Sequence, residues 1–299
     1  MFNYIMEAII DKVKENRPHL SAGSIKTYKS ILKNIYDKCY DDKEYCFKKF
    51  DNDSVILEHL KEIPFNKRKT VLAGLSVLTA NPAYQKVMMH DIHEYNAEQL
   101  KQEKTPAQEE GMIEPEEVMA IFNQLDTNAK HCLKKQTITP SDLNEIQKWV
   151  MLALTGGIFQ PPRRSVDFGM MKWRNYDKEK DNYIDIKNSK FIFQNYKTAK
   201  TYGLQETEIS KPLKVILNKW FKVVPDGCDY VLFDAKMKGL TSPQMTHRLN
   251  DVFGKKISTS MLRHIYLQKK FGNVDLEELQ KTATAMGNSS MQALLYTKK

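Results

Sequence analysis

Residues 181–210 read DNYIDIKNSKFIFQNYKTAKTYGLQETEIS. Apolar and polar residues alternate through DNYIDI, KFIFQNY and LQETEIS, and polar turns at Lys187-Asn188-Ser189 and Thr201-Tyr202-Gly203 divide the three pieces. A period of two puts alternate side chains on opposite faces, so Asn182 to Ile209 is expected to form a three-stranded antiparallel sheet. Elsewhere the apolar residues recur at helical spacing. The fold class this implies is mainly α with a small antiparallel β-sheet, an α+β arrangement.

Downstream of the sheet, helices are expected over Pro212–Val223, Ser242–Phe253, Thr259–Phe271, Leu276–Met286 and Ser290–Tyr296. Upstream, Glu114–Leu125 and Ser141–Leu154 have the same periodicity, the second capped by Ser141. The first hundred residues carry only helical patterns. Ile5, Ile9, Ile10 and Val13 share one face of residues 2–16, and Ser24 is expected to cap a helix through Ile35. Further helices are expected over Ser54–Ile63, Asn66–Thr79 and Pro82–Leu100. Between the two regions, KQEKTPAQEEGMIEPEE (101–117) is polar, is broken by Pro106, Gly111 and Pro115, and offers nothing to bury. This predicts a helical domain over 1–104, a linker over 105–117 and a mixed domain over 118–299.

The chain has 299 residues, with Lys plus Arg at 46 and Asp plus Glu at 37, giving a net charge of +9. With 41% hydrophobic residues it can bury a core and is not a disordered basic tail. The longest apolar run, Trp149–Phe159, is too short to cross a bilayer, so no membrane partner is expected. Cys39, Cys46, Cys132 and Cys228 are too scattered for a metal knuckle and point to reduced thiols, hence a cytoplasmic or nuclear protein. His90 and His93 lie one helical turn apart without a third ligand nearby in sequence, so they are expected to be surface residues. A positive balance of this size favours a polyanionic partner.

Gly-rich phosphate loops, nucleophile elbows and zinc-protease helices are missing. What the second region offers is dispersed: Arg163-Arg164 after Gly156-Gly157 and Pro161-Pro162, Lys197 and Lys200 beside the middle strand, Arg263-His264 inside a helix, and Tyr296. Each has a plain structural reading as an ion-pair partner, a solvated lysine or a core tyrosine. Together they make chemical sense. Two arginines can clamp the non-bridging oxygens of a phosphodiester, a lysine can protonate a departing oxygen, and a tyrosine can be the nucleophile. Guanidinium groups would stabilise the charge of the transition state, so neither a metal nor a cofactor is called for.

At these residues the chain resembles the tyrosine recombinase, or phage-type integrase, family over nearly its whole length. Thr155-Gly156 leads into Arg164, with Asp167 three residues later and Trp173 nine later, which is similar to the family's first arginine motif with an insertion after the glycine. Lys197-Thr198 matches the hairpin lysine, with Lys200 the alternative. Ser258 to His264 matches the second arginine motif from Arg263 onward. Met286-Gly287-Asn288-Ser289-Ser290 followed by Tyr296 looks like the segment that carries the nucleophile.

The resemblance implies catalytic roles for Arg164, Lys197, Arg263 and Tyr296. It makes Ser260, His264, Asn288 and Lys200 further candidates. Ser260 stands where the family has His or Lys, and Asn288 where it has His or Trp; neither is a useful base. The implied activity is cleavage and rejoining of double-stranded DNA through a 3′-phosphotyrosine, in a protein of a virus, mobile element or bacterial chromosome. A monomer in solution and a tetramer on paired DNA sites are expected, since only Thr297-Lys298-Lys299 follow Tyr296. The alternatives are a type IB topoisomerase, which would begin with a β-rich domain, and a DNA-binding relative of weak activity.

Overall fold

The computed structural model describes residues 2–40, 46–100, 104–271, 276–294 and 296. The chain divides into two compact units, Met1–Lys101 and Gln102–Lys299.

The first unit is built from α1 (Phe2–Asn16), α2 (Ala22–Cys39), a 3₁₀ turn (Phe47–Asp51), α3 (Asp53–Leu60), α4 (Phe65–Thr79) and α5 (Pro82–Leu100). Its core joins Ile9 and Val13 of α1 to Leu32, Ile35 and Tyr36 of α2, Leu72, Leu75 and Leu78 of α4, and Tyr84 of α5. Of the face read on α1, Ile9 and Val13 enter this core and Ile10 is half-buried, while the side chain of Ile5 lies outside the described residues. The start of α2 differs from expectation: Ser21, not Ser24, is the cap, its Oγ accepting from the Ser24 amide at 3.1 Å. Ser21 has the extended backbone a cap requires, and Ser24 is the third helical residue that satisfies it. The α4–α5 pair is fastened by Arg68, which donates from Nε and Nη2 to the two oxygens of Asp91 at 2.8 and 2.7 Å.

The second unit contains α6 (Pro106–Gly111), α7 (Pro115–Cys132), α8 (Pro140–Thr155), α9 (Ser165–Gly169), strands β1 (Tyr183–Asp185), β2 (Lys190–Phe193) and β3 (Gln205–Glu208), and the single-turn α10 (Ala199–Tyr202) between β2 and β3. It continues with α11 (Lys211–Trp220), α12 (Ser242–Phe253), α13 (Thr259–Phe271), α14 (Leu276–Ala285) and α15 (Ser290–Leu294). The sheet is antiparallel in the order β1-β2-β3, with Tyr183 opposite Ile192 and Phe193 opposite Gln205. Phe191 and Phe193 pack edge-on against Phe168 of α9, tying the sheet to the helical core around Trp149, Leu152 and Trp220.

The stretch 105–117 is not featureless. Thr105 and Gln108 form a capping box that starts α6 at Pro106, and Ile113 is buried in the core of the second unit. Capping chemistry and one apolar residue outweigh the polar composition there. α8 likewise begins one residue earlier than expected, capped by Thr139 and closed by Asp142. The last helix ends at Leu294 and Tyr296 lies in a turn beyond it; Leu295 and 297–299 lie outside the described residues. All four cysteines are free thiols. No helix among the described residues is long and apolar enough to cross a membrane.

Candidate active site

Three local devices bring the site together. The first is the glycine pair after α8. Gly157 has φ +74°, and a Cβ there would lie 2.7 Å from the ring of Tyr266. Glycine therefore allows α13 to pack tightly against the end of α8. Pro161-Pro162 then carry the chain into Arg163 and into Arg164, the N-cap of α9.

The second device is the start of α13. Ser258 Oγ accepts from the Met261 amide at 3.3 Å, setting a helix that buries Arg263, only 1% exposed, among Leu262 and Ile265. The third is the end of α14. The Asn288 amide donates to Ala283 O at 2.8 Å and the Gly287 amide to Thr284 O at 2.9 Å, with Gly287 at φ +68°. These are the paired bonds of a Schellman motif, which needs a left-handed residue and so selects glycine. The motif delivers Asn288 as a buried residue.

Among these elements lie three arginines and one acid. Arg163 donates from Nε to Asp167 at 2.8 Å and from Nη1 to Gln205 Oε1 at 2.8 Å and Ala285 O at 2.5 Å, its guanidinium 3.9 Å above the Phe193 ring. The acid read as a partner of the Arg164 motif thus reaches Arg163, one residue back along the chain. Arg164 donates to Gly287 O at 2.8 Å and to Asn288 Oδ1 at 2.7 Å. Arg263 donates from Nη1 to the Tyr296 hydroxyl at 3.1 Å, and its guanidinium lies 4.8 Å from the Tyr296 ring centre.

The cluster is under-satisfied. Arg163 Nη2, Arg263 Nε and Nη2, and Asn288 Nδ2 are buried donors without a hydrogen-bond partner. An orphaned buried donor forfeits its hydration without recompense. Burial pushes the Arg263 guanidinium down from its ordinary pKa, and the like charge of Arg164 adds to that, opposed by Tyr296. Burial also pushes Arg163 down and raises the Asp167 carboxyl, against the mutual attraction of the two. Arginine keeps its proton in proteins. The strain is therefore on the charge itself, and a bound anion would relieve it.

The other candidates divide. His264 lies edge-on to Tyr296, ring centres 4.2 Å apart, with Nδ1 3.1 Å from Tyr296 O and Nε2 3.5 Å from the Gln108 amide of α6. It braces the tyrosine's backbone. Lys197 is exposed in the turn after β2, but its neighbour Thr198 donates to Gly287 O at 2.9 Å, which docks that turn against the end of α14. Lys200 is exposed on α10, and Ser260 is exposed in the first turn of α13. His90 and His93 are exposed on α5. Reading the sequence gave no hint of Gln108 or Gln205, because a glutamine on a polar face carries no chemical signature.

No protein-family model matches the chain, and no curated protein is significantly similar to it in sequence. Solved structures similar to the chain include those of a recombinase and of a transposon integrase. The crystal structure of XerA recombinase covers 98% of this chain and 93% of its own, with a TM-score of 0.43 and 10% identity. The Tn1549 transposon integrase, in complex with a circular intermediate DNA, covers 97% of this chain and 94% of its own, with a TM-score of 0.40 and 11% identity.

Proposed function

We propose that the chain is a DNA recombinase of the tyrosine class that cuts and rejoins double-stranded DNA without a metal or cofactor. The observation that carries this reading is the Tyr296 hydroxyl, hydrogen-bonded at 3.1 Å to a buried arginine whose remaining donors have no partner. A phosphodiester supplies what that cluster lacks: two non-bridging anionic oxygens that accept from guanidinium groups. In the reaction, the Tyr296 oxygen forms a bond to phosphorus and releases its proton to solvent water. The bond from phosphorus to the 5′-oxygen breaks, and that oxygen takes a proton from Lys197, leaving a 3′-phosphotyrosine and a free 5′-hydroxyl. Attack by a 5′-hydroxyl reverses the steps. Arg164 and Arg263 hold the phosphate while its charge grows, the effect that preorganised donors supply most strongly. Asn288, fixed by Arg164, offers one more donor.

One feature favours recombination over the topoisomerase alternative, and the charge fits a DNA partner in either case. The described residues of the first unit are helical, where the alternative calls for strands, and both units belong to a chain of net charge +9 suited to gripping a duplex. Assembly as a tetramer on paired sites belongs to the same reading.

A duplex from DNA flanking the gene, nicked near the cleavage point so that the cut fragment diffuses away, tests the proposal. The wild-type chain should be trapped as a covalent adduct, with phosphate on Tyr296 by mass spectrometry. Tyr296→Phe should bind the same DNA and yield no adduct. Phosphate on Tyr266, Tyr202 or a serine would overturn the assignment, and binding without any adduct would leave a DNA-binding relative.

A further inference from the structure

Resting on that reading, we propose that Gln205 is a positioning residue: it ties the hairpin that carries Lys197 to the helix end that presents Asn288. Gln205 opens β3 opposite Phe193, and its half-buried amide uses both ends. Oε1 accepts from Arg163 Nη1 at 2.8 Å, and Nε2 donates to Thr284 O at 3.0 Å.

The last carbonyls of a helix have no partner within it and carry the negative end of its dipole. At the end of α14 these groups are met by side chains from elsewhere in the second unit. Thr284 O receives Gln205, Ala285 O receives Arg163, and Gly287 O receives both Arg164 and Thr198. Arg163 and Arg164 converge here as well, since a Cβ on Gly287 would lie 3.4 Å from Arg163 Nη2 and 3.6 Å from Arg164 Nη1.

Gln205 and Thr198 are the uncharged members of this collar, and Gln205 bonds both Arg163 and the helix end. Its oxygen holds the Arg163 guanidinium, which lies 3.9 Å from the Phe193 ring centre, and its nitrogen holds the helix end against the sheet. Removing Gln205 leaves Thr198 as the hairpin's bond to the Schellman turn and loosens the register between the two. Lys197 and Asn288, which sit on the two sides, then lose their register on the phosphate. A misplacement of about 1 Å can cost on the order of a hundredfold in rate.

Gln205→Leu keeps the strand and removes both hydrogen bonds. At saturating nicked duplex, adduct formation should slow by about tenfold to a hundredfold, with the dissociation constant for DNA unchanged. In an Asn288→Ala background the same substitution should cost much less, because the turn it serves no longer carries the donor. Amide exchange at Gly287 and Asn288, measured on the full chain without DNA, should speed up in Gln205→Leu. An unchanged rate, or an equal loss in both backgrounds, overturns the positioning role while the adduct of the wild-type chain upholds the recombinase reading. If the wild-type chain forms no adduct, that reading falls, and the exchange measurement still decides the clamp: unaltered protection at both amides refutes it.

Discussion

Among the described residues, two arginine–aspartate pairs have a fully buried acid, one in each unit. In the first, Arg68 grips Asp91 with two nitrogens on two oxygens, and both carboxylate atoms are used. In the second, Arg163 reaches Asp167 through Nε alone, and both Asp167 Oδ1 and Arg163 Nη2 are left buried without partners. The first pair is closed: it joins α4 to α5 and leaves nothing over. The second is open, and it stands beside two more arginines with a single acid among the three. A protein tolerates an unsatisfied charge cluster of that kind where a ligand completes it. The residue types are identical; what separates a fastening from a site is the inventory of unused donors.

The closed pair should show the greatest loss of stability when one partner is removed. Arg68→Met leaves Asp91 buried, 0% exposed, with its guanidinium partner removed. Removing one partner of a buried pair typically costs about 3–5 kcal/mol, and the 20% exposure of the Arg68 side chain moves this toward the lower end. Hydrogen exchange in α4 and α5 should report the loss, while adduct formation under folding conditions stays within a few-fold of wild type. A protected α4–α5 pair would show that the two bonds contribute little.

At the open cluster the same type of substitution should have the opposite balance. Arg263→Met keeps most of the buried volume and removes a charge whose Nε and Nη2 have no partner. Thermal stability should hold or rise, because an apolar side chain often replaces a poorly compensated ion at no cost. Cleavage should fall by about a hundredfold or more, the scale for losing one preorganised donor. Stability and activity moving together would place Arg263 with Arg68 as a fastening.

The arginines and the tyrosine were legible in the sequence through the resemblance of the motifs around them to those of a known family. Their immediate partners were not. Ala285 O and Gly287 O are backbone acceptors, and a carbonyl has no residue identity to read. The helices Ser242–Phe253 and Thr259–Phe271 have the boundaries expected, since the first is opened by Thr241-Ser242-Pro243 and closed by Gly254, and the second has apolar residues spaced along its length. The helix Pro106–Gly111 was hidden by its acidic composition, although Thr105, Pro106 and Gln108 spell out its cap. At α2 two serines competed for one role, and backbone geometry rather than residue type decided between Ser21 and Ser24.

A third test uses two glycines with the same backbone and different neighbours. Gly254 closes α12 at φ +65° with nothing within 4 Å of a Cβ, whereas Gly287 has φ +68° with both arginines at its edge. Alanine at either position should cost about 1–2 kcal/mol for a left-handed residue. Only Gly287→Ala should also slow cleavage, by roughly tenfold, because the strained turn is the one that Arg164 and Thr198 hold through Gly287 O and that presents Asn288. Equal cleavage rates in the two variants would mean that the collar around α14 tolerates the shift.

The smallest effect separates satisfied from unsatisfied carboxylates by the sign of their pH dependence. Asp142 is nearly buried and fully engaged: it accepts from Lys135 Nζ at 2.5 Å and from the Thr139 amide and hydroxyl at 3.0 and 2.6 Å. Those bonds, led by Lys135, hold its carboxyl well below the ordinary carboxylate range. A depressed folded-state pKa gives stability that is present above the ordinary value and is lost as pH falls below it. Asp167 has the reverse shift, raised first of all by burial. Its folded form keeps a proton that the unfolded chain has already released, so its contribution declines as pH climbs just above the ordinary carboxylate range. The stability gap between wild type and Asp142→Asn should therefore shrink as the solution is acidified. The stability of Asp167→Asn relative to wild type should instead improve as pH rises out of the acid range. Urea unfolding at a series of pH values reads both slopes, and slopes of the same sign would mean that Asp167 is as well compensated as Asp142.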